Sequence, residues 1–338
     1  IAAAMEEKKI TTETVLTIPD KLKRSTKVFK DHEPHPTQRL TTAGILAVSS
    51  NTGSIKIGEM ISNDKLYDYL TKFGIGTKTG SGLPGESRGI LPKVADWSGT
   101  TAPTVAFGQG YSVTAMQATS VFATIANDGV RVSPTVIAGT SDSSGNYTPS
   151  ETRENVRVIS PETAAKMRLM MESVVSKNGT APSAAIPGYR VAGKTGTAQV
   201  VGLNVANGKS GAWKYRDHGH FICFAPFDKP KYACAVAIEH GGGSGSAYPI
   251  ARDVMTYIFA PDKAKENQSQ THHRSQHPDP HNRLAWLLAN TDGDKTLALD
   301  SASKALELVP DSAAVLDTMA HVRFIRGEYA VAVELQRR

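Results

Sequence analysis

The sequence lacks long apolar runs and has little cysteine. No stretch of about 18 consecutive apolar residues occurs, so no membrane-spanning helix is predicted within the chain. Cys223 and Cys234 are its only two cysteines, which excludes a disulfide-rich scaffold. It also lacks a basic stripe with interleaved aromatic residues, so the net charge of +6 indicates a basic solvated surface rather than nucleic-acid binding.

Cys223 and Cys234 fall in two neighbouring apolar runs that resemble the strands of a hairpin. They could face each other there, either as a disulfide or as two buried free thiols. Free thiols are favoured because cysteine packs well as a small apolar side chain. Cysteine usage therefore does not identify a cellular compartment.

The composition is that of a globular protein, with 40% hydrophobic and 21% charged residues over 338 positions. Periodicity predicts both helices and strands along the chain. Residues 11–36 look polar and irregular, and 74–92 form a glycine- and proline-rich loop. Helices are predicted at 1–10, 42–47, 55–73, from about 114 to 125, from 160 and at 249–259. Strands are predicted at 189–200, 221–225 and 232–239.

The composition changes abruptly after the last of these helices. We expect a first domain over 1–260, a polar linker over 261–281 and a helical segment over 282–338. The linker holds His272, His273, His277 and His281, but they lack the spacing of a ligand set, so no metal site is predicted. Two helical hairpins of roughly 30 residues each are expected to follow, with stops at Pro310 and Gly327.

Two short motifs carry residues suited to chemistry. Lys194-Thr195-Gly196-Thr197 lies on a predicted strand and offers a cation, hydroxyls and backbone groups freed by a glycine. That set suits a site that attracts a carboxylate and stabilises an oxyanion. Ser49-x-Asn51 lies at a predicted helix break. Each motif is weak alone, and their order and structural contexts strengthen the pair.

Serine acyl transfer would also need a nucleophilic serine with a lysine one helical turn later. The sequence contains two such pairs, Ser62 with Lys65 and Ser301 with Lys304. Ser62 looks like a helix cap, and Ser301 belongs to the C-terminal helices. Neither pair precedes Ser49, so we predict that the nucleophile is not in this chain and that the chain alone is inactive.

Several longer stretches carry a family resemblance. They include Phe73-Gly74-Ile75-Gly76, Leu83-Pro84-Gly85-Glu86, the run from Ala106 to Gln117, the run from Ala123 to Gly129, and Phe224-Ala225-Pro226. With the two short motifs, they make residues 1 to about 259 resemble the transpeptidase domain of class B penicillin-binding proteins. The cell-division members are the most similar, although Val236 to Gly243 looks more like the elongation members.

The resemblance implies a mixed α/β (α+β) domain with an antiparallel five-stranded sheet flanked by helices. It also implies an enzyme that crosslinks peptidoglycan without metal or cofactor. Ser49 would relay a proton, Asn51 would hold a substrate carbonyl, and Lys194 would supply positive potential. Thr195-Gly196-Thr197 would bind the carboxylate of a D-alanyl-D-alanine stem peptide or a β-lactam, and the Thr197 N–H would form half of the oxyanion hole. Cell-wall synthesis proteins would be its partners.

The family's serine–lysine helix and first two strands would lie upstream, as would a membrane anchor holding the domain at the extracytoplasmic face of the bacterial inner membrane. Strand 232–239 would then be an unpaired edge. Residues from about 282 resemble tetratricopeptide hairpins, with Ala298, Ala305 and Ala332 at repeat spacing, and would bind a protein partner. The alternative function is a non-catalytic scaffold that recognises stem peptides.

Overall fold

The computed structural model describes residues 1–150, 155–206, 209–239, 241–259, 285 and 295–336. The chain divides into a first unit, Ile1–Phe259, and a second unit, Ala260–Arg338. The predicted linker over 261–281 and its four histidines lie outside the described residues. None of the described helices combines the length and apolar character needed to cross a bilayer.

The first half of unit 1 contains short helices and strands. They are α1 (Ala2–Glu6), β1 (Val15–Ile18), β2 (Lys21–Arg24), β3 (Lys27–Lys30), β4 (Gln38–Thr41), α2 (Thr42–Ala47), α3 (Asn51–Gly58), α4 (Asn63–Lys72), α5 (Thr101–Ala106) and α6 (Ala115–Ala126).

The second half of unit 1 contains a sheet and the helices that cover it. Its elements are β5 (Val130–Arg131), β6 (Gly139–Ser141), β7 (Tyr147–Pro149), β8 (Val156–Arg157), α7 (Pro161–Ser173), β9 (Ala192–Ala206), β10 (Lys209–Ala225), β11 (Tyr232–Ile238) and α8 (Tyr248–Phe259).

Three predictions for the N-terminal half were wrong in extent. Residues 11–36 contain three short strands, because β1 pairs with β4 and the lysine-rich β2 pairs with β3. The predicted helix 1–10 ends at Glu6, and Lys8 adopts a left-handed φ of 56°. The predicted helix 55–73 is two helices, because Ser62 accepts the Lys65 N–H at 3.2 Å and starts α4 anew.

The sheet of the site is antiparallel with the order β11-β10-β9. It has three strands in the described part of the chain, and they correspond to the three predicted at 189–200, 221–225 and 232–239. Strand β11 is an edge strand there, as predicted. Both β9 and β10 are longer than predicted. Their backbone pairing extends through Trp213 to Lys209, beyond the apolar residues from which the two strands were predicted.

Two apolar cores hold the sheet in place. On one side, α7 contributes Met167, Met170 and Met171, all at most 5% exposed, so these methionines pack in the core as predicted. On the other side, Phe221 of β10 packs with Met255 of α8, and both are fully buried. The sheet is therefore held between helices on both faces.

Cys223 and Cys234 lie directly opposite each other on β10 and β11, and neither is disulfide-bonded. Cys223 is buried and Cys234 is half-buried. A hydrogen bond between the thiols raises the pKa of Cys223 and lowers that of Cys234. The predicted hairpin placement of the two cysteines is confirmed.

Unit 2 contains α9 (Lys295–Leu308), α10 (Ala313–Ile325) and α11 (Tyr329–Gln336). The helices end before Pro310 and Gly327, as predicted, and Gly327 has a φ of 79°. Ala298 and Ala302 pack with Met319 and Val322 in its core. The tetratricopeptide character of these helices stays a prediction.

Gln117 ties the glycine-rich loop to helix α6. The residue is 1% exposed and completes a capping box with Thr114, whose N–H it accepts at 2.8 Å. Its Nε2 donates to the carbonyls of Thr77 and Arg88 at 2.7 and 2.9 Å. One side chain therefore satisfies three backbone groups.

Replacing Gln117 with Leu should lower the free energy of unfolding by about 2–4 kcal/mol, because buried backbone groups lose their partners. Thr119→Ala is the control, since the Thr119 hydroxyl bonds only the Ala115 carbonyl of its own helix. It should change stability by less than about 0.5 kcal/mol. Urea unfolding measures both, and equal midpoints would contradict the role of Gln117.

Candidate active site

The turn between α2 and α3 presents the first motif. Ser49 adopts a left-handed φ of 58°, which is strained for a residue other than glycine. Ser50 follows as the N-cap of α3, and its Oγ accepts the Gly53 N–H at 3.0 Å. A Cβ on Gly53 would lie 2.8 Å from Ile45 Cγ2, so glycine permits the close approach of α2 and α3 at this turn.

Lys194 of β9 meets this turn directly. Its Nζ donates to Ser49 Oγ at 2.6 Å and to the Thr195 carbonyl at 2.9 Å, and lies 3.3 Å from Thr195 Oγ1. Lys194 is opposite Ile222, so β10 sets its position along the sheet. The structure thus joins the two motifs through one hydrogen bond.

The environment of Lys194 changes its ionisation. Burial lowers the pKa of the Lys194 ammonium from 10.5 to about 8, because the charged form loses hydration. The described residues include no carboxylate within ion-pair distance of its Nζ. Lys194 therefore remains cationic at neutral pH and is free to attract an anion.

Thr195 and Thr197 occupy different environments along β9. Thr195 is 9% exposed, and its Oγ1 shares a hydrogen bond with Thr180 Oγ1 at 2.8 Å. Thr197 is half-buried, and its carbonyl accepts Gln109 Nε2 at 3.3 Å. Gly196 lies between them opposite His220. The Thr197 hydroxyl is thus the more open of the two.

Asn51 has a different partner from the other predicted site residues. It is the first residue of α3, and its Nδ2 donates to the Lys30 carbonyl at 3.0 Å. The structure does not join its amide to Ser49 or Lys194 by a hydrogen bond. One N–H of the amide remains for a ligand.

Sequence reasoning missed three residues that contact the motifs: Thr180, Gln109 and Asp31. Gln109 lies between Gly108 and Gly110, which have φ of 96° and 79°, so the glycine pair was an available signal for a special turn. Thr180 and Asp31 lie in polar loops without any local signal. Only the folded chain brings them to the site.

Neither Ser-x-x-Lys pair forms a serine–lysine dyad. The Ser62 hydroxyl caps α4, as predicted, while Lys65 Nζ pairs with Glu7 at 3.1 Å. In the second unit, Ser301 is buried and Lys304 Nζ pairs with Glu307 at 3.0 Å. Both lysines are therefore engaged by carboxylates.

Comparison with known proteins shows the family to which the chain belongs. The family model for the penicillin-binding protein transpeptidase domain matches residues 1–256. Penicillin-binding protein PbpB of Mycolicibacterium smegmatis is 36% identical over 294 residues, which cover 82% of this chain and 43% of that protein. Stage V sporulation protein D of Bacillus subtilis is 34% identical over 276 residues, covering 75% and 40%. The chain thus spans less than half the length of these relatives.

Solved structures show the same fold. The crystal structure of penicillin-binding protein 3 from Mycobacterium tuberculosis with aztreonam has a TM-score of 0.69 at 32% identity, covering 78% of this chain and 60% of that one. A peptidoglycan synthetase from Bifidobacterium adolescentis has a TM-score of 0.70 at 31% identity, covering 78% and 47%. The predicted mixed α/β transpeptidase fold is confirmed, and the chain belongs to the transpeptidase family of class B penicillin-binding proteins.

Proposed function

We propose that this chain forms the substrate-binding part of a D,D-transpeptidase that crosslinks peptidoglycan stem peptides by serine acyl transfer. The contact between Lys194 Nζ and Ser49 Oγ carries this proposal, because it sets a cation and a proton-relaying hydroxyl side by side. Family membership supports a place in the cell envelope, and we assign the domain to the extracytoplasmic face of the inner membrane.

Carboxylate recognition is the first task of the site. The terminal carboxylate of D-alanyl-D-alanine, or that of a β-lactam, would bind the Thr197 hydroxyl and the positive potential of Lys194. Thr195 is hydrogen-bonded to Thr180 and stabilises strand β9. One relative, solved both with aztreonam and with ampicillin, supports β-lactams as ligands of this chain too.

Acyl transfer follows. The nucleophilic serine loses its proton to its paired lysine while its oxygen attacks the penultimate D-alanine carbonyl. The C–N bond then breaks, and the terminal D-alanine leaves with its amine nitrogen protonated, because Ser49 relays a proton from that lysine to the nitrogen. Ser49 Oγ accepts a hydrogen bond from Lys194, so its own proton is free for donation to that nitrogen. The Thr197 N–H would supply half of the oxyanion hole, and the remaining N–H of Asn51 would hold a substrate carbonyl.

We assign the nucleophile to a serine–lysine pair outside this sequence, together with the second oxyanion donor, its own N–H. The engagement of Lys65 and Lys304 by carboxylates supports this assignment. The same observation favours a second candidate function, a scaffold that recognises stem peptides without catalysis. In either case, the helices over 295–336 would bind a protein partner, such as another cell-wall synthesis protein.

Labelling with a fluorescent penicillin separates the two functions. This chain should give no band after denaturing electrophoresis, whereas a chain extended upstream in its own gene should label covalently. Ser49→Ala in the extended chain should slow labelling about a hundredfold, the usual contribution of a proton-transferring group. A band on the present chain that Ser62→Ala or Ser301→Ala abolishes would contradict the proposal, and an unlabelled extended chain would favour the scaffold.

The affinity for a D-alanyl-D-alanine peptide should depend on Lys194 ionisation. The peptide carboxylate stays ionised above about pH 5. Lys194 has a pKa of about 8, so its side chain is mostly cationic below pH 8 and mostly neutral above pH 8. Affinity should therefore be constant below about pH 7 and fall as the pH rises through 8.

An NMR titration measures this affinity from pH 6 to 10. Lys194→Met should bind about tenfold or more weakly at pH 7, with no step near pH 8, because the charged hydrogen-bond donor is gone. Lys56→Met is the control, since the half-buried Lys56 bonds the Thr17 carbonyl and neither Ser49 nor Lys194. It should keep the wild-type profile. A wild-type affinity that does not change across pH 8 would contradict the role of Lys194.

A further inference from the structure

A buried carboxylate lies behind the turn that presents Ser49. Asp31 directly follows β3 and is 8% exposed. Its Oδ2 accepts the Ser50 hydroxyl at 2.6 Å and lies 3.1 Å from His35 Nε2. Its Oδ1 accepts the Thr52 N–H at 2.8 Å. Both carboxylate oxygens are therefore used within the protein.

The residue before Asp31 contacts the same turn. The Lys30 carbonyl accepts Asn51 Nδ2 at 3.0 Å. Two consecutive residues at the end of β3 thus bind three consecutive residues, Ser50, Asn51 and Thr52. The first N–H groups of a helix have no partner within it, and a negative charge is favourable at that end. Asp31 supplies α3 with both an acceptor for the Thr52 N–H and a negative charge at its N-terminus.

The turn needs such support because of its backbone. A non-glycine residue in the left-handed region is strained and persists only where the surroundings enforce it. Ser49 has this conformation, and its hydroxyl receives Lys194 Nζ at 2.6 Å. If Ser50 and Thr52 were released, Ser49 could relax to a negative φ and its hydroxyl would leave Lys194.

We propose that Asp31 is a positioning residue of the site. Its carboxylate, together with the Lys30 carbonyl, holds the start of α3 and thereby keeps Ser49 in the conformation that places its hydroxyl on Lys194. Asp31 acts through Ser50 and Thr52 and contacts no substrate in this scheme. The catalytic value of this positioning rests on the proposed function, whereas the placement of Ser49 on Lys194 can be measured without acylation.

The ionisation of Lys194 reports this placement. In protein labelled with ¹³C-lysine, the Lys194 Cε resonance is assigned by its loss in Lys194→Met, and its titration should give a pKa of about 8. In Asp31→Ala the turn opens and water reaches Lys194. The pKa should then rise by about one unit or more toward the value of a hydrated lysine.

Asp31→Asn is the conservative variant, with nearly the same shape. Its oxygen still accepts the Thr52 N–H, but it presents an NH₂ group where the carboxylate accepted the Ser50 hydroxyl. A pKa between those of wild type and Asp31→Ala is expected. If Asp31→Ala does not fold, this variant decides the outcome, and an unshifted Lys194 pKa in Asp31→Asn would overturn the proposal.

Glu59→Gln is the matched control on the same helix. Glu59 follows the last residue of α3 and binds Arg24 through both oxygens, at 2.5 and 2.8 Å. Loss of the Glu59 carboxylate should weaken the C-terminal end of α3 without moving Lys194. A shift of the Lys194 pKa in this variant equal to that in the Asp31 variants would therefore also overturn the proposal. A shift of the Lys194 pKa in the Asp31 variants alone would support the positioning role even if the chain bound no peptide. Failure of the proposed function and failure of this proposal are therefore distinguishable.

Discussion

The hydrogen bond from Lys194 Nζ to Ser49 Oγ is the interaction on which the site depends. It joins residues 145 positions apart, one on an edge strand and one in a tight turn between two short helices. Strand β10 determines where Lys194 lies along the sheet, while α2 and α3 determine where Ser49 lies. The two motifs meet because these two placements agree within hydrogen-bond distance.

Each partner of this bond is held in an unfavourable state. Lys194 is an ammonium group in a partly dehydrated site, which lowers its pKa to about 8. Ser49 has a left-handed backbone. Such costs are typical of functional sites, where the surrounding structure enforces a geometry that local preference would reject. Here the sheet fixes Lys194, and the start of α3, hydrogen-bonded to Asp31, fixes Ser49.

Local signals predicted several elements well. Helices begin near residues 114 and 160 as predicted, with Thr114 and Ser160 as their N-caps, and Ser62 is the predicted cap of α4. The strand that carries Lys194 was also predicted, at 189–200 against the observed Ala192–Ala206. These features depend on residues a few positions apart, so the sequence is sufficient for them. The break of the helix over 55–73 was missed, because apolar spacing continued across it.

The sequence by itself determined which chemical groups the site has: a lysine, two threonines, a serine and an asparagine, in an order that identifies the family. Only the tertiary structure decided how they are used. It bonded Lys194 to Ser49, turned the Asn51 amide toward Lys30, and brought Gln109, Thr180 and Asp31 to the motifs. Those contacts join segments that are distant in the chain, and no local propensity encodes a distance between them.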